Sequence, residues 1–155
     1  MELSEIFMPS HIKIDLSSKN KEELFDELVS FLAVNETGMN VDEVTQALWA
    51  RERMLNTVIA PSIALPHASL RKQQEPIGVF GLSREGIDYG DSEGKRVHIV
   101  MMLIDNRFES KRHLKTLRSA ALLIGSPNFY SKVMRCSTAD EVHEVILEVE
   151  EMQRV

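Results

Sequence analysis

The sequence predicts a single α/β domain in which helices pack against a mixed β-sheet. Strand patterns alternate with stretches of helical periodicity, which is the arrangement of layered α/β proteins. The 155 residues suit one domain, and no repeat, linker or low-complexity tract divides them. With 43% apolar and 27% charged residues, the chain has an ordinary globular composition. We therefore interpret residues 1–155 as one domain.

The N-terminal part of the chain predicts a strand followed by a helix. Residues 11–16 alternate apolar and polar side chains, as a half-buried strand does. Residues 20–23 read Asn-Lys-Glu-Glu, a capping box that predicts a helix start, and apolar residues at helical spacing follow it. The turn-forming residues Asn35 and Gly38 indicate where this helix ends.

A second helix and a short strand are predicted next. Residues 40–43 form another capping box, and the apolar periodicity after it continues to about Arg53. Residues 63–65 are apolar, and Pro66 follows them directly. Because proline cannot donate a backbone hydrogen bond, this pattern predicts a brief strand that ends in a loop.

The middle of the chain predicts two longer strands. Residues 77–82 and 97–104 are both apolar, and the second segment is apolar on both faces, which is typical of a central, fully buried strand. Residues 84–96 between them are polar and contain glycine, so they predict turns or a hairpin.

The C-terminal part of the chain predicts two further helices. One begins at Ser110 and is ended by Gly125 and Pro127. Another begins at a third capping box, residues 138–141, and carries a stripe of valine and isoleucine residues.

Charge and cysteine content exclude several classes of protein. With 18 basic and 24 acidic residues the formal net charge is −6, which argues against nucleic acid as a main partner. The single cysteine, Cys136, cannot form an internal disulfide, so a reducing compartment is expected. No apolar run approaches the length of a membrane helix, and residues 1–5 carry acids where a secretory signal needs a basic segment, so no such signal is expected. We expect a cytoplasmic protein without membrane insertion.

His67 is the first candidate for chemistry, because the strand at 63–65 carries Pro66 and then His67 into a loop. A largely uncharged histidine with a free ring nitrogen can act as a nucleophile, an acid or base, or a metal ligand. By itself, a Pro-His dipeptide more often marks an ordinary loop histidine.

Three other residues are candidates for an anion site around His67. Arg51 lies 16 positions upstream, and its guanidinium suits a phosphoryl dianion, although a solvated helix-end arginine is the simpler interpretation. Thr57 could donate its hydroxyl to the same anion or satisfy a turn. His113 lies in the first turn of a predicted helix, where the dipole favours anions, but most such histidines are surface residues.

A metal or organic cofactor is not expected. The histidines show no pair at helical ligand spacing, and Cys136 has no companion at zinc-site spacing. Neither a glycine-rich nucleotide loop nor a nucleophile-elbow serine is present in the sequence.

Taken together, these segments resemble the enzyme IIA family of the fructose/mannitol/nitrogen branch of the bacterial phosphoenolpyruvate-dependent sugar phosphotransferase system. The family shows an Arg-Glu pair, a threonine six residues after that arginine, and a segment like Ile-Ala-Ile-Pro-His. Here these are Arg51-Glu52, Thr57 and residues 63–67, Ile-Ala-Leu-Pro-His. Further segments also match in the right order: residues 3–6, 85–89, 94–100 and 112–120.

The resemblance implies a three-layer α/β/α domain with helices on both faces of a mixed sheet. It also implies that His67 is phosphorylated by the phosphocarrier protein HPr and passes the phosphoryl group to an enzyme IIB partner. Arg51 and His113 would flank the phosphorylated ring, and Thr57 would be a supporting contact. Transfer between neutral imidazoles requires no general base, and without ATP it requires no magnesium.

Family members commonly have glycine at the position of Ala60, and many have it at Ser62. We therefore expect the turn Ala60-Pro61-Ser62 either to cradle phosphate less well or to serve a different partner. The function could be a relay in sugar uptake, or nitrogen-type regulation in which the phosphorylation state controls binding to a transporter or kinase. A family fold that has lost phosphorylation is a third alternative.

Overall fold

A computed structural model describes residues 1–154 of the chain. These residues form six helices: α1 (Leu3–Ile6), α2 (Lys21–Asn35), α3 (Val41–Glu52), α4 (Ser110–Ile124), α5 (Phe129–Met134) and α6 (Ala139–Gln153). They also form six strands: β1 (Ile12–Lys13), β2 (Val58–Ala60), β3 (Ile63–Ala64), β4 (His67–Leu70), β5 (Ile77–Asp88) and β6 (Arg96–Asn106). None of the helices within residues 1–154 has the length and apolarity needed to cross a membrane.

The helix starts follow the three capping boxes. Each N-cap side chain accepts a hydrogen bond from the backbone N–H three residues later: Asn20 from Glu23, Asn40 from Glu43 and Thr138 from Glu141. Acidic residues in the first turn of each helix also interact favourably with the helix dipole. The predicted starts of α2, α3 and α6 are therefore confirmed, as is the helix that begins at Ser110.

The sheet is mixed, and β6 lies at its centre. Its strand order is β1-β5-β6-β3-β2, and β4 pairs with β6 beyond the end of β3. β5 and β6 form an antiparallel hairpin, whereas β3 and β4 are both parallel to β6. The central position predicted for residues 97–104 is confirmed, and residues 84–96 complete a hairpin in which both strands are longer than predicted.

Two apolar cores occupy the two faces of the sheet. Along β6, Ile99, Met101 and Leu103 pack with α1, α4, α5 and α6. The alternate residues Val100, Met102 and Ile104 pack with α2 and α3 on the other face. This alternation follows from the two-residue period of a strand. The fold is the expected three-layer α/β/α arrangement with helices on both faces.

The structure corrects the prediction that His67 lies in a loop, because His67 is the first residue of β4. The Pro66 carbonyl accepts a hydrogen bond from the Leu103 N–H at 3.0 Å, so the chain stays beside β6. Pro66 has no N–H to donate, and one ladder bond is therefore missing between β3 and β4. The proline interrupts the pairing without turning the chain away from the sheet.

The β2–β3 turn contains backbone strain at Ser62, whose φ of 67° lies in the left-handed region. A serine in this conformation is disfavoured relative to glycine. We expect Ser62→Gly to raise the free energy of unfolding by about 0.5–1 kcal/mol, measured by urea denaturation. Asn128, at φ 64°, is a matched control because asparagine tolerates the left-handed region better than serine does. Asn128→Gly should therefore raise the free energy of unfolding by less than Ser62→Gly does. An unchanged or lower value for Ser62→Gly would contradict the prediction.

Candidate active site

An open depression of about 400 Å³ lies where the end of α3, the start of α4 and β4 meet. It brings together three of the four predicted site residues, Arg51, His67 and His113. The other lining residues are Ala47, Ala50, Met54, Ala68, Ser69 and Arg107. Among residues 1–154, the lining thus contains two arginines and no acid, which suits an anion.

A backbone contact fixes the tautomer of His67. Its Nδ1 lies 2.8 Å from the carbonyl oxygen of Leu65. Because a carbonyl oxygen can only accept, Nδ1 must carry the proton and donate it. In the neutral ring, Nε2 then keeps a free lone pair and is the atom able to act as a nucleophile.

The surroundings of His67 keep its ring neutral. Burial lowers the pKa of His67 below its ordinary value of 6.5, although the hydrogen bond to Leu65 opposes that change. The positive charge of Arg51 and the charge of His113 when it is protonated lower the pKa of His67 further, whereas the negative charge of Glu52 raises it. At neutral pH, His67 is therefore unprotonated at Nε2.

Arg51 is in the last turn of α3, where the chain turns back after Glu52. Its Nη1 donates a hydrogen bond to the carbonyl oxygen of Leu55 at 2.8 Å. This bond restrains the guanidinium yet leaves other N–H groups able to donate. Arg51 is therefore a positioned cation at the edge of the depression.

His113 lies in the first turn of α4, as predicted. Its ring centroid is 5.6 Å from that of His67, with the ring planes inclined by 49°. Burial lowers the pKa of His113 as well, and the negative charge of Asp105 opposes this. A neutral imidazole therefore lies beside His67 and borders the same depression.

Thr57 does not line the depression. Its buried hydroxyl donates to Glu52 Oε1 at 2.7 Å and lies 2.7 Å from the Tyr89 hydroxyl. Glu52 Oε2 also accepts from the Thr57 N–H at 3.0 Å and from Lys21 Nζ at 3.1 Å. Since a threonine hydroxyl has one proton, Thr57 has none left to donate to an anion. The structure thus corrects the interpretation of Thr57 as an anion donor: it belongs to a buried network next to Arg51.

This network, formed by Lys21, Glu52, Thr57 and Tyr89, was not predicted as a unit. In the sequence, Glu52 and Tyr89 belong to segments that match the family, and Lys21 belongs to a capping box. An acid that is 5% exposed at the end of a helix is unusual, because buried carboxylates need several donors. The network ties α2, α3 and the end of β5 together directly beside Arg51.

The turn Ala60-Pro61-Ser62 lies away from His67. Ile63 pairs with Ile99 and His67 pairs with Leu103, four residues further along β6, which corresponds to about 13 Å. Pro61 and Ser62 line a separate pocket of about 310 Å³. At that separation the turn does not contact His67, so its missing glycines do not alter the immediate surroundings of the ring. The left-handed backbone at Ser62 explains why glycine suits the position.

The assembled site can carry an anion on His67 Nε2. The nucleophilic nitrogen, a restrained guanidinium and a second neutral imidazole all border one open depression. Within residues 1–154, no group of three or more His, Cys, Asp or Glu side chains is placed to hold a metal ion.

Comparisons with known proteins identify the family. Residues 5–149 match the family model for the phosphoenolpyruvate-dependent sugar phosphotransferase system, EIIA 2. The chain is 27% identical over 146 residues to the fructose-specific EIIABC component of Bacillus subtilis, covering 94% of this chain but 23% of that protein. It is 26% identical over 146 residues to a nitrogen regulatory protein of Bradyrhizobium diazoefficiens, covering 94% of this chain and 95% of that protein.

A solved structure agrees with these sequence relationships. The crystal structure of nitrogen regulatory protein IIA-Ntr from Neisseria meningitidis is similar with a TM-score of 0.84 and 26% identity. The similarity covers 93% of this chain and 98% of that chain. Since the family model also spans nearly all of the sequence, this chain belongs to the EIIA 2 family of the phosphoenolpyruvate-dependent sugar phosphotransferase system.

Proposed function

We propose that this protein is a histidine phosphocarrier that accepts a phosphoryl group on His67 from an HPr-like protein and passes it to an enzyme IIB partner. The observation that carries this proposal is the hydrogen bond from His67 Nδ1 to the Leu65 carbonyl, which leaves Nε2 free in the depression. The proposed location is the cytoplasm, a reducing compartment suited to a single free cysteine, Cys136.

Phosphoryl transfer to His67 needs no general base, because no proton has to be removed from the attacking nitrogen. The lone pair of His67 Nε2 forms a new N–P bond while the N–P bond to the donor imidazole breaks, and its electron pair returns to the donor nitrogen. His67 keeps its Nδ1 proton, so the phosphorylated ring is cationic and its Nδ1–H bond to Leu65 strengthens. The transition state is loose and in line, so fixed donors at the phosphoryl oxygens supply most of the stabilisation. Arg51 and His113 are placed for that role.

The surface around the depression supports a protein as the phosphoryl donor. Large apolar side chains that are 60–80% exposed occur next to the lining residues or among them: Met54, Leu55, Phe108 and Leu114. Such exposed apolar groups beside a functional site are typical of protein interaction surfaces. A partner that covers them would also exclude water from the transferring phosphoryl group.

Labelling with phosphate tests this proposal directly. The protein is incubated with enzyme I, HPr and ³²P-labelled phosphoenolpyruvate, and the labelled position is found by peptide mapping and ³¹P NMR. We expect acid-labile label on Nε2 of His67 and none in His67→Gln. His98→Gln is the matched control, because His98 lies on β6 outside the depression, and it should retain the label. Label in His67→Gln, or no label in the wild type, would contradict the assignment.

A nitrogen-type regulatory role is the second candidate. It is favoured by the similarity to nitrogen regulatory proteins in sequence and in structure. A phosphoryl dianion at His67 would place charge in the middle of the exposed apolar surface and so change which partner docks there. The partner could be a transporter or a kinase.

Transfer onward separates the two candidates. The phosphorylated protein is mixed with enzyme IIB proteins, and the loss of label from His67 is followed. Rapid transfer to an enzyme IIB favours the relay. If no enzyme IIB accepts the label while one partner binds only one phosphorylation state, the regulatory role is correct and the relay is wrong.

A further inference from the structure

Strand β4 borders the depression, which His67, Ala68 and Ser69 line. Within residues 1–154, β4 pairs with β6 alone. The Pro66 and Leu70 carbonyls accept from the N–H groups of Leu103 and Arg107 at 3.0 and 2.8 Å. In a parallel ladder, alternate residues direct both backbone groups to the same neighbour. The backbone N–H groups of His67 and Ser69 therefore point away from β6, toward the open edge.

Ser69 adds a side-chain donor at this edge. Successive side chains of a strand alternate between faces, so Ser69 lies on the same face as His67, two residues along β4. It lines the depression and is partly exposed. In the described part of the chain its hydroxyl has no hydrogen-bond partner, so it is available to an anion.

Arg107 follows β6 directly and lies beside the end of β4. Its N–H bond to Leu70 holds its backbone beside the end of β4, and its side chain lines the depression. Two neighbouring arginines are already engaged: Arg112 pairs with Asp105 at 2.5 Å, and Arg71 lies 6.0 Å from the centre of the Phe108 ring. The Arg107 guanidinium has no ion pair within residues 1–154, so it remains available to an anion.

We propose that Ser69 and Arg107 form a second set of donors for the phosphoryl group on His67. This inference rests on the proposed phosphocarrier function. Arg51 and His113 come from α3 and α4, whereas Ser69 comes from β4 and Arg107 from the turn after β6. A phosphoryl group has three oxygens that each accept more than one hydrogen bond. One N–H of Arg51 already donates to the Leu55 carbonyl oxygen, so Arg51 cannot satisfy all of them. The hydroxyl and N–H of Ser69 and the guanidinium of Arg107 supply the remaining donors.

The test measures the phosphorylation equilibrium with phosphorylated HPr at saturating concentration, using Ser69→Ala and Arg107→Gln in the whole protein. We expect the equilibrium constant for phosphorylation of His67 to fall about tenfold in Arg107→Gln and several-fold in Ser69→Ala. Ser69→Thr and Arg107→Lys keep the hydroxyl and the charge, and should recover most of the loss. Thermal unfolding should be unchanged in all four variants, because both side chains are at least partly exposed.

Matched controls make the same chemical changes outside the depression. Ser92→Ala and Arg53→Gln alter exposed residues that do not line it, and both should behave as the wild type. Equilibrium constants for Ser69→Ala and Arg107→Gln equal to these controls would overturn the inference while the phosphocarrier function stood. An effect on the apparent affinity for HPr alone, with an unchanged equilibrium constant, would also overturn it by assigning both residues to docking. A wild type without label would instead refute the phosphocarrier function.

Discussion

Arg51→Ala is expected to slow phosphoryl transfer to His67 by about 10²–10³-fold, the usual cost of removing a preorganised donor from a transition state. The Leu55 carbonyl holds the guanidinium at 2.8 Å, so the donor needs no reorganisation when charge develops on the phosphoryl oxygens. Single-turnover transfer from phosphorylated HPr measures the effect. Arg51→Lys keeps the positive charge but lacks the planar guanidinium. Its transfer rate should therefore lie between those of the wild type and Arg51→Ala.

The same variant should also change the pH dependence of transfer. The charge of Arg51 is one of the causes that lower the pKa of His67, so its removal raises that pKa. Transfer needs an unprotonated Nε2 and is lost as pH falls through the pKa of His67. The pH below which transfer is lost should therefore be higher in Arg51→Ala than in the wild type. NMR titration of the His67 ring would detect the raised pKa.

Arg53→Ala is the matched control for both measurements. Arg53 is two residues away and exposed, and it does not line the depression. If Arg51→Ala and Arg53→Ala transferred at the same rate and showed the same pKa for His67, Arg51 would have no part in the site.

Local chemistry made much of the fold predictable. A helix start depends on a few consecutive residues, so Asn20, Asn40 and Thr138 could be assigned as N-caps before any contact was known. Likewise, apolar residues on both faces of 97–104 required burial from both sides, which only a central strand provides. Arg51, His67 and His113 could be proposed as one site because each is a local candidate and the family resemblance gives their order along the chain.

Features that depend on long-range pairing were missed. The place of Ser69 and Arg107 beside His67 depends on the register of β4 against β6, which aligns Ser69 with Asp105. No local pattern around Pro66 specifies that register, because a proline after a short apolar run also ends many strands. The hydrogen-bond partners of Thr57 could not be predicted for the same reason, since Tyr89 is 32 residues away in sequence.

Glu52→Ala is expected to lower the free energy of unfolding by about 3 kcal/mol. The Glu52 side chain is 2% exposed, and its carboxylate accepts from Lys21, Thr57 and Tyr89. Removing it leaves the Lys21 ammonium and two hydroxyls without their acceptor, in a site too buried for full hydration. Urea denaturation of the variant measures the loss. Glu52→Gln keeps the shape of the side chain and one acceptor oxygen, so its free energy of unfolding should fall by less than that of Glu52→Ala.

Asp26→Ala is the control, because Asp26 is an exposed acid on α2 and its loss should change stability by about 0.5 kcal/mol at most. A double-mutant cycle with Thr57→Val then asks whether the network acts as a unit. Once Glu52 is gone, the Thr57 hydroxyl has lost its acceptor, so the second substitution should cost much less than it does in the wild type. Additive losses, or a Glu52→Ala protein as stable as Asp26→Ala, would show that the carboxylate does not organise this end of α3. Arg51 would then be held in place by its bond to Leu55 alone.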